Sequence, residues 1–540
     1  MLGAATIVSD NSGQPGRRKV RRVLGLVTLV LALLACTSLG SVLVNVDWPG
    51  GGVAWIRVAI GAVLLTLALL CGDFLIGLIR DLRSGGKKTD NLNLLDRFGA
   101  ALAKPKRIVV LGVVAVVWFL VVALAPPVFS VPTAAPAFEP GELVLMTAID
   151  ESPSDPRRVL IQQWNQAYPE NPVEIDTVPG EPDAQHAAMV ANAKGDRGRP
   201  ADVYLLDLVW MTEFIERGYI ERLDTTRLST DDFLPNVLDT VRDQYGQRDG
   251  LWGLPLNSDA GLLYYRTGVP AVPRTPSWDD LYGADAKAIL TAAKNTPGFD
   301  HVTDKLVATN AAQLADEEVL TVTAFETMWA AGGEVVNTDG RPVFNDRQDE
   351  IVFDSGALEG LGGLAAAYRD TGALLPEADQ LDETEATDAF RNEEAIFMRN
   401  WPVAYDSLTT SGGKSTIGFE VSKLPGQSVL GGQNLAIASS SKKPRAAQAF
   451  IEFLTSAASQ LILFEAGGFA PTRDSAYANA TRPYSDVLRG AVVDARPRPF
   501  LPYYTEFSKV FRTGITRALK NDGVLEAGFP KELATIANRR

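Results

Sequence analysis

At 540 residues, with 46% apolar and 21% charged side chains and a formal charge of −14, the chain is too long for one ordinary core, and two or more domains are expected. The charge is uneven: residues 1–138 hold 14 Lys and Arg against 6 Asp and Glu, which leaves a net −22 for residues 139–540. An acidic larger part excludes the basic face that phosphate neutralisation needs, so no nucleic-acid partner is expected.

The basic first part carries three apolar blocks, at about 23–44, 53–79 and 108–130, each near the roughly 20 residues that span a bilayer. They predict three transmembrane helices, since soluble helices almost always keep a polar stripe. Residues 1–22 form a basic tail containing RRKVRR, and the loop 80–107 carries Arg80, Arg83, Lys87, Lys88, Arg97, Lys104, Lys106 and Arg107, whereas 47–52 carries no Lys or Arg. By the positive-inside rule the N-terminus and the basic loop are cytoplasmic, and everything past about residue 131 lies outside the cell. That makes a multi-pass plasma-membrane protein with a large extracellular domain. A rival reading takes LLAC at Leu33–Cys36 as a lipoprotein signal, with Cys36 acylated. Residues 131–141, rich in Pro and Ala, read as a spacer.

Beyond the spacer, ELVLMTAID (142–150) reads as a strand, residues 156–172 as a helix, VEIDTVP as a second strand, and ADVYLLDLVW (201–210) as a third, followed by a helix. Strands alternating with helices predict an α/β layer with a mostly parallel sheet, whose ligands bind beyond the carboxyl ends of the strands. Glu151, Asp207 and Trp210 fall there. LWGLPLNSDAGLLYYR (251–266) is an apolar run broken by Asn257, Ser258 and Asp259; an uncompensated buried carboxylate is costly, so Asp259 belongs either at a surface turn or in a cleft.

Signatures of catalysis are sparse. His186 and His301 are the only histidines, and Cys36 and Cys71, both in the apolar blocks, the only cysteines. Neither a zinc cluster nor a histidine-based triad assembles easily from these. SGGKST (411–416) lacks the leading glycine of a phosphate loop, because position 408 is Leu408, and NTDGRPVFND (337–346) lacks calcium-loop spacing and reads as a turn. No enzyme activity, cofactor or metal site is expected.

Four further segments, WAAGGEV (329–335), MRNWPVAYDSL (398–408), the GGQNLAI run leading into KPRAAQAFIEFL, and GGFAPTR (467–473), follow LWGLP and DAGLLYYR in order. Together they resemble the extracellular solute-binding proteins of the sugar-binding kind, receptors of ABC importers. The resemblance implies a two-lobed α/β fold of periplasmic-binding-protein type with a hinge, lobe one at about 142–256 and 432–495 and lobe two at about 259–428 and 500–540. It implies a carbohydrate ligand, ABC permease partners, and NSD (257–259) as the crossover. Glu151 and Asp207 would be acceptors from lobe one, near Trp210; Asn257 and Asp259 would sit at the hinge. Trp401 would be a stacking platform and Arg473 a donor, with Gly432 and Gln433 close to the ligand. Glu151 and Asp207 could instead cap helices, Arg473 could be a structural ion-pair partner, and Trp329 reads as core. Disaccharide-binding relatives often carry an aromatic where Gln433 stands. Membrane helices in place of a lipid anchor leave open a ligand-sensing regulator, and two cleft carboxylates would be needed for a polysaccharide-active enzyme.

Overall fold

The computed structural model describes residues 138–539 except 150–153, 270–271, 274–275, 297–303, 371 and 410–416. The basic tail, the three predicted membrane helices, the loop 80–107, Cys36, Glu151, His301 and SGGKST therefore lie outside the described residues, as does most of the spacer. Among the described residues no single helix is long and apolar enough to cross a membrane.

β1 (Leu143–Ala148) and β3 (Val203–Asp207) are buried along nearly their whole length, as strands covered on both faces must be. β1 pairs in parallel with β2 (Val173–Val178), Leu143 opposite Val173, and with β3, Leu145 opposite Val203. The crossovers are the helices Pro156–Ala167 and Pro182–Ala193. The first has its apolar side set by Leu160, Ile161 and Trp164; the Trp164 ring lies tilted 4.1 Å from Tyr168 and meets Phe450 edge-on at 5.3 Å. Complete burial of such a side chain stabilises by about 1.5–3 kcal/mol.

The first sheet runs β2-β1-β3-β10-β4 with β5 also on β10; here β4 is Ile220–Glu221, β5 Leu254–Ala260 and β10 Leu430–Ala438. β10 is antiparallel to β3, β4 and β5. The second sheet runs β7-β8-β6-β9, built from β6 (Leu262–Arg266), β7 (Ala308–Ala311), β8 (Ala395–Asn400) and β9 (Phe419–Lys423). Each sheet is the centre of one lobe. Helices Glu318–Ala330, Ser355–Arg369, Tyr504–Lys520 and Phe529–Ala537 pack on one another, while Ser485–Asp494 touches both β5 and β9. Trp329 is buried in this helical layer, stacked on Phe325 at 5.4 Å.

The crossover differs from the sequence reading. Asn257, Ser258 and Asp259 are not a turn between lobes; they lie inside β5, opposite Gln433, Gly432 and Gly431 of β10. The strand continues to Ala260, β10 begins at Leu430, and the chain passes between sheets at Gly261. The ladder is what carries β5 onward. Gly432 has φ 121°, and a Cβ there would lie 2.4 Å from the Asn257 carbonyl oxygen, so only glycine lets the two backbones come this close.

The connections between lobes run side by side. The Leu430 amide donates to the Arg496 carbonyl at 2.7 Å, and the Arg496 amide to the Ser428 carbonyl at 2.9 Å. Glu326 anchors this region from lobe two: it pairs with Arg399 at 3.0 and 2.8 Å and accepts the Val429 amide at 3.0 Å, all buried.

Candidate ligand-binding site

A cavity of about 290 Å³ lies between the lobes, past the carboxyl ends of β1 and β3. Lobe one contributes Ile149, Arg157, Asp207, Asn257, Asp259 and the Gly431–Gln433 stretch; lobe two contributes Glu318, Val319, Val322, Glu383, Trp401 and Val403; Arg498 enters from the last connection.

Asp207 is the final residue of β3, set opposite Gln433. Its carboxylate accepts the Val209 amide at 3.1 Å, so it does cap the short turn Leu208–Trp210, and it also meets Arg498 Nη2 at 3.2 Å. Burial pushes its carboxyl above the usual range, opposed by the Arg498 charge. Arg498 donates in turn to Glu318 at 2.7 Å, so one guanidinium bridges the two lobes. Glu318 also accepts from Ser508 Oγ at 2.6 Å and from the Tyr504 hydroxyl.

Asn257 and Asp259 alternate along β5 and thus share a face. The Asn257 amide Nδ2 donates to Asp259 Oδ2 at 3.0 Å, while Asn257 Oδ1 is buried and without a partner among the described residues. Burial raises the Asp259 carboxyl to about 7; the Asp207 charge adds to that, and Arg399 and the Asn257 bond act against it.

Trp401 follows β8 directly and lines the cavity, held by its neighbours. Its Nε1 donates to Glu383 at 3.0 Å and the Arg399 guanidinium sits 3.7 Å from its ring centroid. Glu383 opens the helix Glu383–Arg391, and burial raises its carboxyl while the Trp401 bond opposes the shift.

The structure thus brings Asp207, Asn257, Asp259, Trp401, Gly432 and Gln433 to one cavity. Trp210 is a correction: it is buried in lobe one, its ring 5.5 Å from His186, and does not line the cavity, because the turn that follows Asp207 directs it inward. Arg473 is another. Its Nε donates to the Thr455 carbonyl at 2.6 Å and its guanidinium lies 3.8 Å over the Phe233 ring, near Asp232, so its donors serve lobe one. Arg157, Glu318, Glu383 and Arg498 were missed by sequence reasoning. The signal available for Arg157 was its place at the start of the helix after β1; the others depend on contacts distant in sequence. Among the described residues, no group of His, Cys, Asp and Glu could hold a metal ion.

A family profile described as bacterial extracellular solute-binding protein matches residues 160–486, more than half of the chain. The chain belongs to that family. A probable ABC transporter-binding protein of Deinococcus radiodurans is 26% identical over 362 residues, covering 64% of this chain and 76% of its own. Among solved structures, maltose-bound MalE3 of T. maritima is 27% identical with a TM-score of 0.60, covering 73% of this chain and 98% of its own. An ABC transporter solute-binding protein of Thermotoga lettingae, bound to α-D-tagatose, is 21% identical with a TM-score of 0.59 over 73% of this chain and 97% of its own, a likeness of fold. The two lobes with a cavity between them are the architecture of the solute-binding family. Every cavity residue discussed above lies within the matched span except Ile149, Arg157 and Arg498.

Proposed function

We propose that this protein is a membrane-tethered extracellular receptor that captures a carbohydrate in the interlobe cavity and delivers it to an ABC importer. The observation that carries the reading is the cavity's chemistry: the carboxylates of Asp207, Asp259, Glu318 and Glu383, the amides of Gln185, Asn257 and Gln433, and the aromatic rings of Trp401 and Phe469, together. Sugar hydroxyls donate well to carboxylates, and the C–H faces of a pyranose stack on an aromatic ring. The maltose held by the T. maritima relative supports the same ligand class.

In this mechanism Asp259 and Asp207 accept from ligand hydroxyls on the lobe-one side while Trp401 supports a sugar face from lobe two. Arg498, shared between Asp207 and Glu318, couples ligand contacts on one lobe to the position of the other. Tethering rests on the three apolar blocks and the basic loop 80–107. A reporter fused after Arg540 is then outside the cell and one near Lys88 inside.

The test of the carbohydrate reading is a thermal-shift screen of the full-length chain against neutral and amino mono-, di- and oligosaccharides, with a hydrolysis assay on every hit. A ligand at 100 times its dissociation constant adds about 2.7 kcal/mol. A stabilising sugar recovered unchanged supports a receptor; no stabilisation by any sugar overturns the reading, and turnover would make the protein an enzyme.

A further inference from the structure

We propose that the cavity selects a carbohydrate bearing a free amine, an amino sugar, over its neutral and N-acetylated counterparts. This rests on the carbohydrate reading and narrows it.

The first observation is the balance of charge. Four carboxylates line the cavity against two guanidiniums, Arg157 and Arg498. Both cations are engaged: Arg157 with Asp155 at 3.1 Å and the Thr147 hydroxyl at 2.9 Å, Arg498 with Asp207 and Glu318. Asp259 and Glu383 have no ion-pair partner among the described residues. Arg399 is the cation that faces them, and it is committed to Glu326 at 3.0 and 2.8 Å with its plane against Trp401. A neutral ligand closing over Asp259 and Glu383 leaves each of them either uncompensated or protonated, whereas an ammonium pairs with one as the carboxylate.

The second observation is independent of charge. Asn257 is only 5% exposed, and with Nδ2 committed to Asp259 its Oδ1 is a buried acceptor without a partner among the described residues. Asn257 and Asp259 share one strand face, so this floor presents acceptors side by side. An ammonium brings three donors and no acceptor to these groups, whereas a hydroxyl brings one donor. A Cβ at Gly431 would lie 3.2 Å from both Asp259 Cβ and Trp401 Cζ3, which puts the aromatic ring beside the same carboxylate. An amine bound there gains a π system as well as two acceptors. N-acetylation removes the charge, removes two of the three donors and adds bulk.

Isothermal titration of the full-length chain at pH 7 tests this on matched triads: glucosamine, N-acetylglucosamine and glucose, and the same three forms of each sugar skeleton that stabilises the protein in the screen. The expected result is an amine at least tenfold tighter than both of its neutral twins, with Asp259→Asn and, separately, Glu383→Gln shrinking that advantage more than they weaken the neutral sugar. A neutral twin that binds as tightly as the amine, or more tightly, overturns the inference and leaves the carbohydrate reading standing. A screen in which no sugar binds, amino sugars included, overturns the reading itself. If either variant fails to fold, the wild-type comparison still decides.

Discussion

The two walls of the cavity are built in different ways. On the lobe-one side, Asp207, Asn257, Asp259 and the Gly431–Gln433 stretch are carried by strands, and their positions follow from the β3–β10–β5 ladder. On the lobe-two side, Trp401, Glu383 and Glu318 sit just past a strand or at helix starts, and side chains from elsewhere hold them: Arg399 against Trp401, and Arg498, Tyr504 and Ser508 around Glu318. A wall held by backbone pairing resists single side-chain changes; a wall held by side-chain brackets is only as firm as each bracket.

The largest expected effect therefore comes from breaking a bracket. Arg399→Met leaves Glu326 as a buried carboxylate without its cation and removes the guanidinium behind Trp401. Truncating one partner of a buried pair costs about 3–5 kcal/mol, to be read as a lowered denaturant midpoint. Replacing Glu326 by Met as well should recover part of that loss, the Val429 amide being left without its acceptor; no recovery would mean that this amide bond, and not the ion pair, is what Glu326 chiefly supplies.

On the other wall the sensitive point is backbone. Gly432→Ala forces a Cβ toward the Asn257 carbonyl at φ 121°, with an expected cost of about 1–3 kcal/mol. Because the shift would move Asn257 and Gln433 together, ligand affinity should fall along with the melting temperature.

A pH-dependent effect separates the charges of the two walls. Asp259 has a folded-state pKa of about 7 against an ordinary 3.8, so the folded chain holds more protons than the unfolded one between those values. Its contribution is present below about pH 4 and is lost as pH rises toward 7. Urea midpoints of the ligand-free chain should decline over that window, and Asp259→Asn should flatten the decline; an equally steep decline in the variant would assign it to other groups.

The smallest effect on binding is expected at Arg473. Its donors are used within lobe one, so Arg473→Ala should lower the melting temperature while leaving the dissociation constant unchanged. A weakened affinity at unchanged stability would return Arg473 to the cavity.

The same contrast explains what was legible in the sequence. Strand and helix alternation marked β1, β2 and β3, and the carboxylate at the end of β3 marked Asp207, because these are local patterns. The resemblance located Asp259, Gly432, Gln433 and Trp401, yet NSD reads as a crossover in sequence and is strand in the fold, since only pairing with the glycines of β10 extends β5 that far. Arg498 and Glu318 are 180 residues apart, and no periodicity or spacing links them. Arg473 and Trp210 look like cavity residues because they adjoin segments that reach it; their own side chains are consumed by Thr455, Phe233 and the lobe-one core.

Asp259 tests the central claim most directly, because it lines the cavity, is half-buried and lacks a counter-ion among the described residues. Asp259→Ala should weaken binding of the sugar that stabilises the wild type by about 1.5–3 kcal/mol, the usual worth of a hydrogen bond to a charged group. Calorimetry and a thermal melt on the same preparation should show a raised dissociation constant without a lowered ligand-free melting temperature, because the variant sheds a carboxylate whose ionisation burial opposes. A variant that melts early and binds as tightly as the wild type would contradict the account, and would make Asp259 a structural residue of β5 with no contact to ligand.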